Sequence, residues 1–274
     1  MLTYNRPQFM RMAIDSIFSQ EFQDWELVVV HDGQNQVIPI IMSEFQHRDP
    51  RIRYFPRRNP GNIAEACNFG LSQARGQYIA VLDDDDYWAD TDKLAKQVAF
   101  LDGNPDYGGC GGGVITVDTD CREHMRYLKP ERDRQIKRVA LMANPLAHSS
   151  SMYRLELAVK VGGYDESLAG FQDWDLWLKL GKVSKLYNFP DYTTCYRIWH
   201  GSGSFHQLKG NTQSALRITK RHRQDYPGFL TAYTIAMLYH AYAHLPVGIR
   251  RVSYGFLSRL KKSAFAHRPA SALR

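Results

Sequence analysis

Four consecutive aspartates, Asp83 to Asp86, follow the apolar run Tyr78–Leu82 and lead into Tyr87-Trp88. Adjacent carboxylates repel one another and resist desolvation beside a core, so the run needs a purpose. If it continues the alternation of a strand, Asp83 and Asp85 share one face and Asp84 and Asp86 the other. Carboxylates paired in this way suit a hard cation, Mg2+ or Mn2+, held by one or two of them together with phosphate oxygens. The competing purposes are a solvated acidic loop or a helix cap near Asp90.

The elements that must position this run can be read from periodicity. Asn5-Arg6-Pro7 opens an amphipathic stretch (Phe9, Ala13, Ile14, Ile17, Phe18) that predicts a helix. Residues 26–30 form a β-branched run that ends at His31-Asp32-Gly33, the pattern of a buried strand closing in a turn. Helical patterns at 36–48 and 63–74 flank a strand-like 51–56, and the strand 78–82 follows. This β-α-β-α-β order predicts an α/β fold with a mostly parallel sheet flanked by helices, in which ligands bind at the C-terminal strand edge. A helix is expected near 93–101. The glycine-rich 107–117 lacks phosphate-loop spacing, and reads as a strand that another backbone or a ligand passes closely. Residues 119–145 read as a polar, mobile connection. Strand and helix signals return through 148–153 and 173–180, with short strands near 184–188 and 192–199.

The net charge of +7 is not spread evenly. Seven of the 35 Lys and Arg lie in residues 226–274, which hold no Asp or Glu, leaving 28 basic against 28 acidic residues in the body. A neutral body with the excess confined to a tail argues against an extended phosphate-tracking face, so no nucleic-acid partner is expected. A polar helix is expected from about 206 to 225. No Lys, Arg, Asp or Glu occurs from 226 to 249, yet two prolines, two histidines and several tyrosines make a weak bilayer span. Arg250, Arg251, Arg259, Lys261 and Lys262 then alternate with Val252, Tyr254, Phe256, Leu257 and Leu260, the composition of a segment lying on an anionic membrane surface. The four cysteines are scattered without a C-x-x-C pair, and no leader pattern opens the chain. Reduced thiols and a cytoplasmic protein, peripheral at the inner face of the membrane, are expected.

Residues 2–204 resemble the family 2 glycosyltransferases. The resemblance is carried by Thr3-Tyr4-Asn5-Arg6-Pro7, the stretch 20–33, Asn59-Pro60-Gly61 with Asn68-Phe69-Gly70, and 74–86. It continues through Val161-Gly-Gly-Tyr-Asp165, Gln172-Asp-Trp-Asp-Leu-Trp-Leu178 and Tyr196-Arg-Ile-Trp-His200. It implies an A-type fold over 1–205, which the charge pattern follows with a basic helical extension over 206–274. It also implies an inverting, metal-dependent transfer of a sugar from a nucleoside diphosphate, UDP foremost, to a glycan or lipid-linked acceptor in cell-surface polysaccharide or glycan synthesis. By the same resemblance, Thr3 and Tyr4 line the nucleotide pocket, Asp32 meets the base, and Asp83 and Asp84 serve the ribose and metal shell. Asp85 is the principal ligand of Mn2+ or Mg2+, completed by His200. Asp173 is the general base, and Arg197, Gln172 and Trp174 lie by the diphosphate or acceptor. Four departures stand out: a very short first strand, His31 in place of an acid, Gln172 in place of Glu, and Cys67 in place of Arg. Together they leave open a second class, a nucleotide-binding homologue without turnover that acts as a scaffold.

Overall fold

In a computed structural model of the chain, residues 1–57, 62–199, 207–246 and 250 are described. Three parallel strands start the fold: β1 (Leu2–Thr3), β2 (Leu27–His31) and β3 (Ile52–Pro56), with β2 in the middle. Helix α1 (Pro7–Phe18), α2 (Val37–Arg48) and α3 (Ile63–Gln73) connect and flank them. Pro7 stands at the first helical position, where its missing N–H leaves no bond unmade. Asn62 caps α3 by accepting the Glu65 N–H.

A second, six-stranded sheet continues the chain. Its order is β4 (Tyr78–Ala80), β8 (Met152–Arg154), β6 (Tyr107–Val117), β9 (Lys185–Arg197) and β5 (Tyr87–Trp88), with β7 (Glu123–Tyr127) also paired to β6. Its β6–β9 pairing is parallel and its other pairings are antiparallel, so the parallel half of the fold is joined to a mixed half. Helices α4 (Lys93–Gly103), α5 (Asp133–Val139), α6 (Leu155–Lys160) and α7 (Gln172–Val183) cover it. The stretch 119–145, expected as a mobile connection, instead contains β7 and α5. The strands expected separately at 184–188 and 192–199 are one strand, β9, which runs through Pro190 and Asp191 with register shifts opposite Gly111 and Gly113. The glycines of β6 let β9 approach closely: a side chain at Gly112 would collide with Thr193, and one at Gly111 with Asn188.

Three buried clusters hold these layers together. One joins α1, α2 and β2 to Leu82 and Trp88, and a second packs Tyr153, Leu176, Trp177 and Leu180 behind the mixed sheet. The third seats Trp174 and Leu178 of α7 against Ala215 and Ile218 of α8 (Leu208–Arg221), with Tyr226 and Ala232 closing it. Helix α9 (Phe229–His244) follows and lies on α8. Among the described residues, no helix is long and apolar enough to cross a membrane. A cleft of about 860 Å³ separates β2 from β4 and reaches Asp83 and His148.

Candidate functional site

The acidic residues follow the C-terminal ends of β2, in the parallel sheet, and of β4, in the mixed one. Thr3 is buried, and its carbonyl accepts the Asp32 N–H at 3.0 Å. Asp32 directly follows β2 and lies beside the Arg57 guanidinium at 3.3 Å. Tyr4, in the turn after β1, is 55% exposed. Thr3, Tyr4 and Asp32 are therefore neighbours at one strand edge, with one buried, one open and one ion-paired.

The acidic run does not keep a strand's alternation. The Asp86 N–H donates to the Asp83 carbonyl at 3.1 Å, closing a turn over Asp84 and Asp85. The carboxylates consequently pair as 84 with 85 and 83 with 86, not as 83 with 85 and 84 with 86. Arg6 holds the first pair: one guanidinium nitrogen lies 2.5 Å from Asp84 and another 2.6 Å from Asp85. Trp199 adds an indole N–H to Asp85 at 3.0 Å. Ser149 Oγ holds the second pair, 2.5 Å from Asp86 and 3.3 Å from Asp83, and it accepts the Asp83 N–H. The Arg197 N–H also donates to Asp86 at 2.9 Å.

Burial dominates the electrostatics of this turn. Asp84 is fully buried, and desolvation pushes its carboxyl up to about 7 against the pull of Arg6. Desolvation also raises Asp85, and it raises Asp86 well above the usual range with help from the charges of Asp85 and Asp83. The turn thus stores electrostatic cost that a bound cation would relieve. Replacing Arg6 with alanine should destabilise the fold on the order of 3 kcal/mol, because two buried carboxylates lose their partner. Urea unfolding would read this directly. Mn2+ should raise the midpoint of the variant more than that of the parent; equal stability of the two proteins would remove Arg6 as the counter-ion.

Arg197 is brought to the turn but only 2% exposed. Its Nε donates to the Asp85 carbonyl at 3.0 Å, Nη1 donates to the Asp118 and Thr119 carbonyls, and the guanidinium lies over the Phe9 ring. It braces the backbone of the turn from behind. His200 lies outside the described residues, as do Asn59, Pro60 and Gly61 of the resemblance. Gln172 opens α7 and is half-buried. Trp174 faces the core, where its indole N–H donates to the Ala140 carbonyl at 2.7 Å and its ring fixes α7 on the C-terminal helices.

Asp173 and Asp175 occupy the first turn of α7, where the helix dipole favours negative charge. They part company there. Asp175 is fully buried among Lys179, Arg221 and His222, whereas Asp173 is half-buried and accepts a 2.6 Å hydrogen bond from Asn144 Nδ2. The short segment Asn144–Ser149 links Asp173 to the acidic turn: Asn144 holds Asp173 at one end and Ser149 holds Asp83 and Asp86 at the other.

Arg6, Asn144 and Ser149 are the residues sequence reading missed. Arg6 stood within the quoted Thr3–Pro7 stretch, but nothing local signals a partner 79 residues away. For a divalent cation, the donors present are hard carboxylate oxygens, the chemistry Mn2+ and Mg2+ require, although Arg6 and Thr3 already meet the buried Asp84. Among the described residues, no group of three or more His, Cys, Asp or Glu is placed to hold a metal. The set therefore fits a cation shared with phosphate oxygens and not an all-protein cage.

Comparison with known proteins identifies the fold and the family. Structural neighbours include a mannosyltransferase of Pyrobaculum calidifontis in complex with GDP-Man and Mn2+, with a TM-score of 0.64 at 18% identity over 99% of this chain and 76% of that one. Another is S. aureus TarS in complex with UDP-GlcNAc, with a TM-score of 0.62 at 16% identity over 96% of this chain and 76% of that one. At these identities the likeness establishes the fold, the A-type glycosyltransferase architecture. In sequence, an uncharacterized glycosyltransferase of Methanocaldococcus jannaschii is 31% identical over 206 residues, covering 72% of this chain and 69% of the relative. An uncharacterized protein of Mycobacterium tuberculosis is 29% identical over 212 residues, and the chain spans 60% of its length. The family described as "Glycosyl transferase family 2" matches residues 1–162, more than half of the chain. With that match, the chain belongs to glycosyl transferase family 2.

Proposed function

We propose that this glycosyltransferase is an inverting, metal-dependent enzyme that moves a hexose from a nucleoside diphosphate, UDP foremost, to a hydroxyl of a glycan or lipid-linked acceptor in polysaccharide or glycan synthesis. The observation that carries the reading is the link between an acidic turn at a strand end and Asp173 through Asn144–Ser149. Thr3, Tyr4 and Asp32 take the nucleotide, with Asp83 and Asp84 at the ribose side of the turn. Asp85, together with His200, would hold Mn2+ or Mg2+, and the cation would neutralise the leaving diphosphate. Asp173 accepts the proton of the attacking hydroxyl from the opposite side of the sugar, which makes a single displacement with inversion. Gln172 lies at the acceptor side of the base. Catalysis belongs to residues 1–205, and residues 206–274 form a basic extension that keeps the protein at the inner face of the membrane, in the cytoplasm.

A screen of UDP- and GDP-sugars with Mn2+ or Mg2+ tests the assignment. One donor should release free nucleoside diphosphate, and Asp85→Ala should lower that rate about a hundredfold or more. Arg6 already occupies an oxygen of both Asp84 and Asp85, which favours a second reading, a nucleotide-binding scaffold without turnover. Metal-dependent thermal stabilisation by UDP or GDP with no turnover on any donor would select it.

A further inference from the structure

Among the described residues, nothing covers one apolar face of helix α9. Ala232, Ala236 and Ala243 are buried, and their small side chains let α9 lie against α8. The outward side carries Leu230, Thr234, Leu238 and Ala241 on successive turns, with Leu245 just past the helix end and Ile235 and Met237 alongside. Leu230 is 78% exposed and Leu238 67%, unusual values for two large aliphatic side chains on one stripe. The helix contains no Lys, Arg, Asp or Glu that would repel an apolar phase, while every formally charged residue after it is basic.

We infer that this face docks on the surface of an anionic bilayer, with Leu230 and Leu238 entering the boundary between headgroups and acyl chains. Charge complementarity selects that occupant. All seven formally charged residues from 226 onward are Lys or Arg, whereas the body carries equal numbers of each sign. An apolar stripe supplies insertion and the adjoining basic residues supply attraction to anionic lipid, and stable anchoring needs both signals. A span is ruled out for α9 itself by its 16 residues. The inference rests on the peripheral placement proposed above, and not on the transfer chemistry.

The test uses the full chain and vesicles of phosphatidylcholine with or without about 30% phosphatidylserine. The protein should float with the anionic vesicles, less with the neutral ones, and less again as salt rises. Leu230→Glu combined with Leu238→Glu should lower the partition coefficient about tenfold or more, because two inserted side chains become anionic. Both positions lie outside the buried clusters, and an unchanged thermal midpoint would show that the fold persists. Flotation of the double variant equal to the parent would overturn the inference, as would absence of flotation by the parent. A parent dimer converted to monomer by the same substitutions, with vesicle binding untouched, would overturn it too and assign the face to a second copy. Because no donor or acceptor enters the assay, its failure is separate from failure of the catalytic reading.

Discussion

Asp173→Asn should abolish transfer while leaving donor binding intact. Removal of a positioned general base costs about a hundredfold to ten-thousandfold in rate. Asparagine keeps the shape of aspartate, and its amide oxygen can still accept the hydrogen bond that Asn144 gives to Asp173. The variant therefore removes proton acceptance and little else. The loss should fall on kcat, with the donor dissociation constant unchanged, since Asp173 lies on α7 and the acidic turn follows β4. Asn144→Ala should give a smaller loss, about tenfold, because it frees the carboxylate without removing it. Steady-state kinetics beside calorimetric donor titration would separate the two effects. Transfer by Asp173→Asn within tenfold of the parent would assign the base elsewhere.

The sequence displays this site unevenly, for physical reasons. The apolar run 78–82 followed by four aspartates marks a strand end, because a buried strand cannot continue into four charges. Alternation then fails at the point where it was applied: pairing stops at Ala80, and the backbone turns at Asp84 and Asp85, so a period of two no longer governs which carboxylates share a face. Arg6 could not be identified as their partner, since ion pairs between distant segments leave no periodic trace. The strand β7 escaped notice because its first four side chains are exposed and offer no apolar alternation. At seven residues, α5 is too short for a helical repeat to emerge. Proline and aspartate at 190 and 191 suggested a break that β9 absorbs through shifts in register. What the residues did convey well was the order of elements in the first half, where each strand is a compact β-branched or aromatic run bounded by turn residues.

Asp175 should prove to be the residue on which α7 depends for its footing, although it lies two positions from the proposed base and does no chemistry. It is fully buried and meets Arg221 at 2.9 Å, His222 at 3.0 Å and Lys179 at 3.2 Å, while Arg221 also reaches Asp165 at 2.5 Å. Burial alone would raise its carboxyl; the hydrogen bond from His222 and the charges of Lys179 and Arg221 overcome this and hold it down at about 2. A folded value below the unfolded one means that the ionised form is preferred in the native state. Its contribution is therefore complete above about pH 4 and is lost as pH falls through the range from about 4 to 2. Asp175→Asn should cost about 2 kcal/mol at neutral pH, and urea midpoints of parent and variant should converge as the pH approaches 2. Parallel curves across that range would show that the charge contributes nothing. The functional consequence follows from position: α8 reaches the first turn of α7 through Arg221, so loosening this cluster frees the segment that aims Asp173. The variant should lose kcat at neutral pH with donor affinity preserved, and less steeply than Asp173→Asn. The C-terminal helices would then serve the reaction from behind, by holding the base where the acceptor hydroxyl arrives.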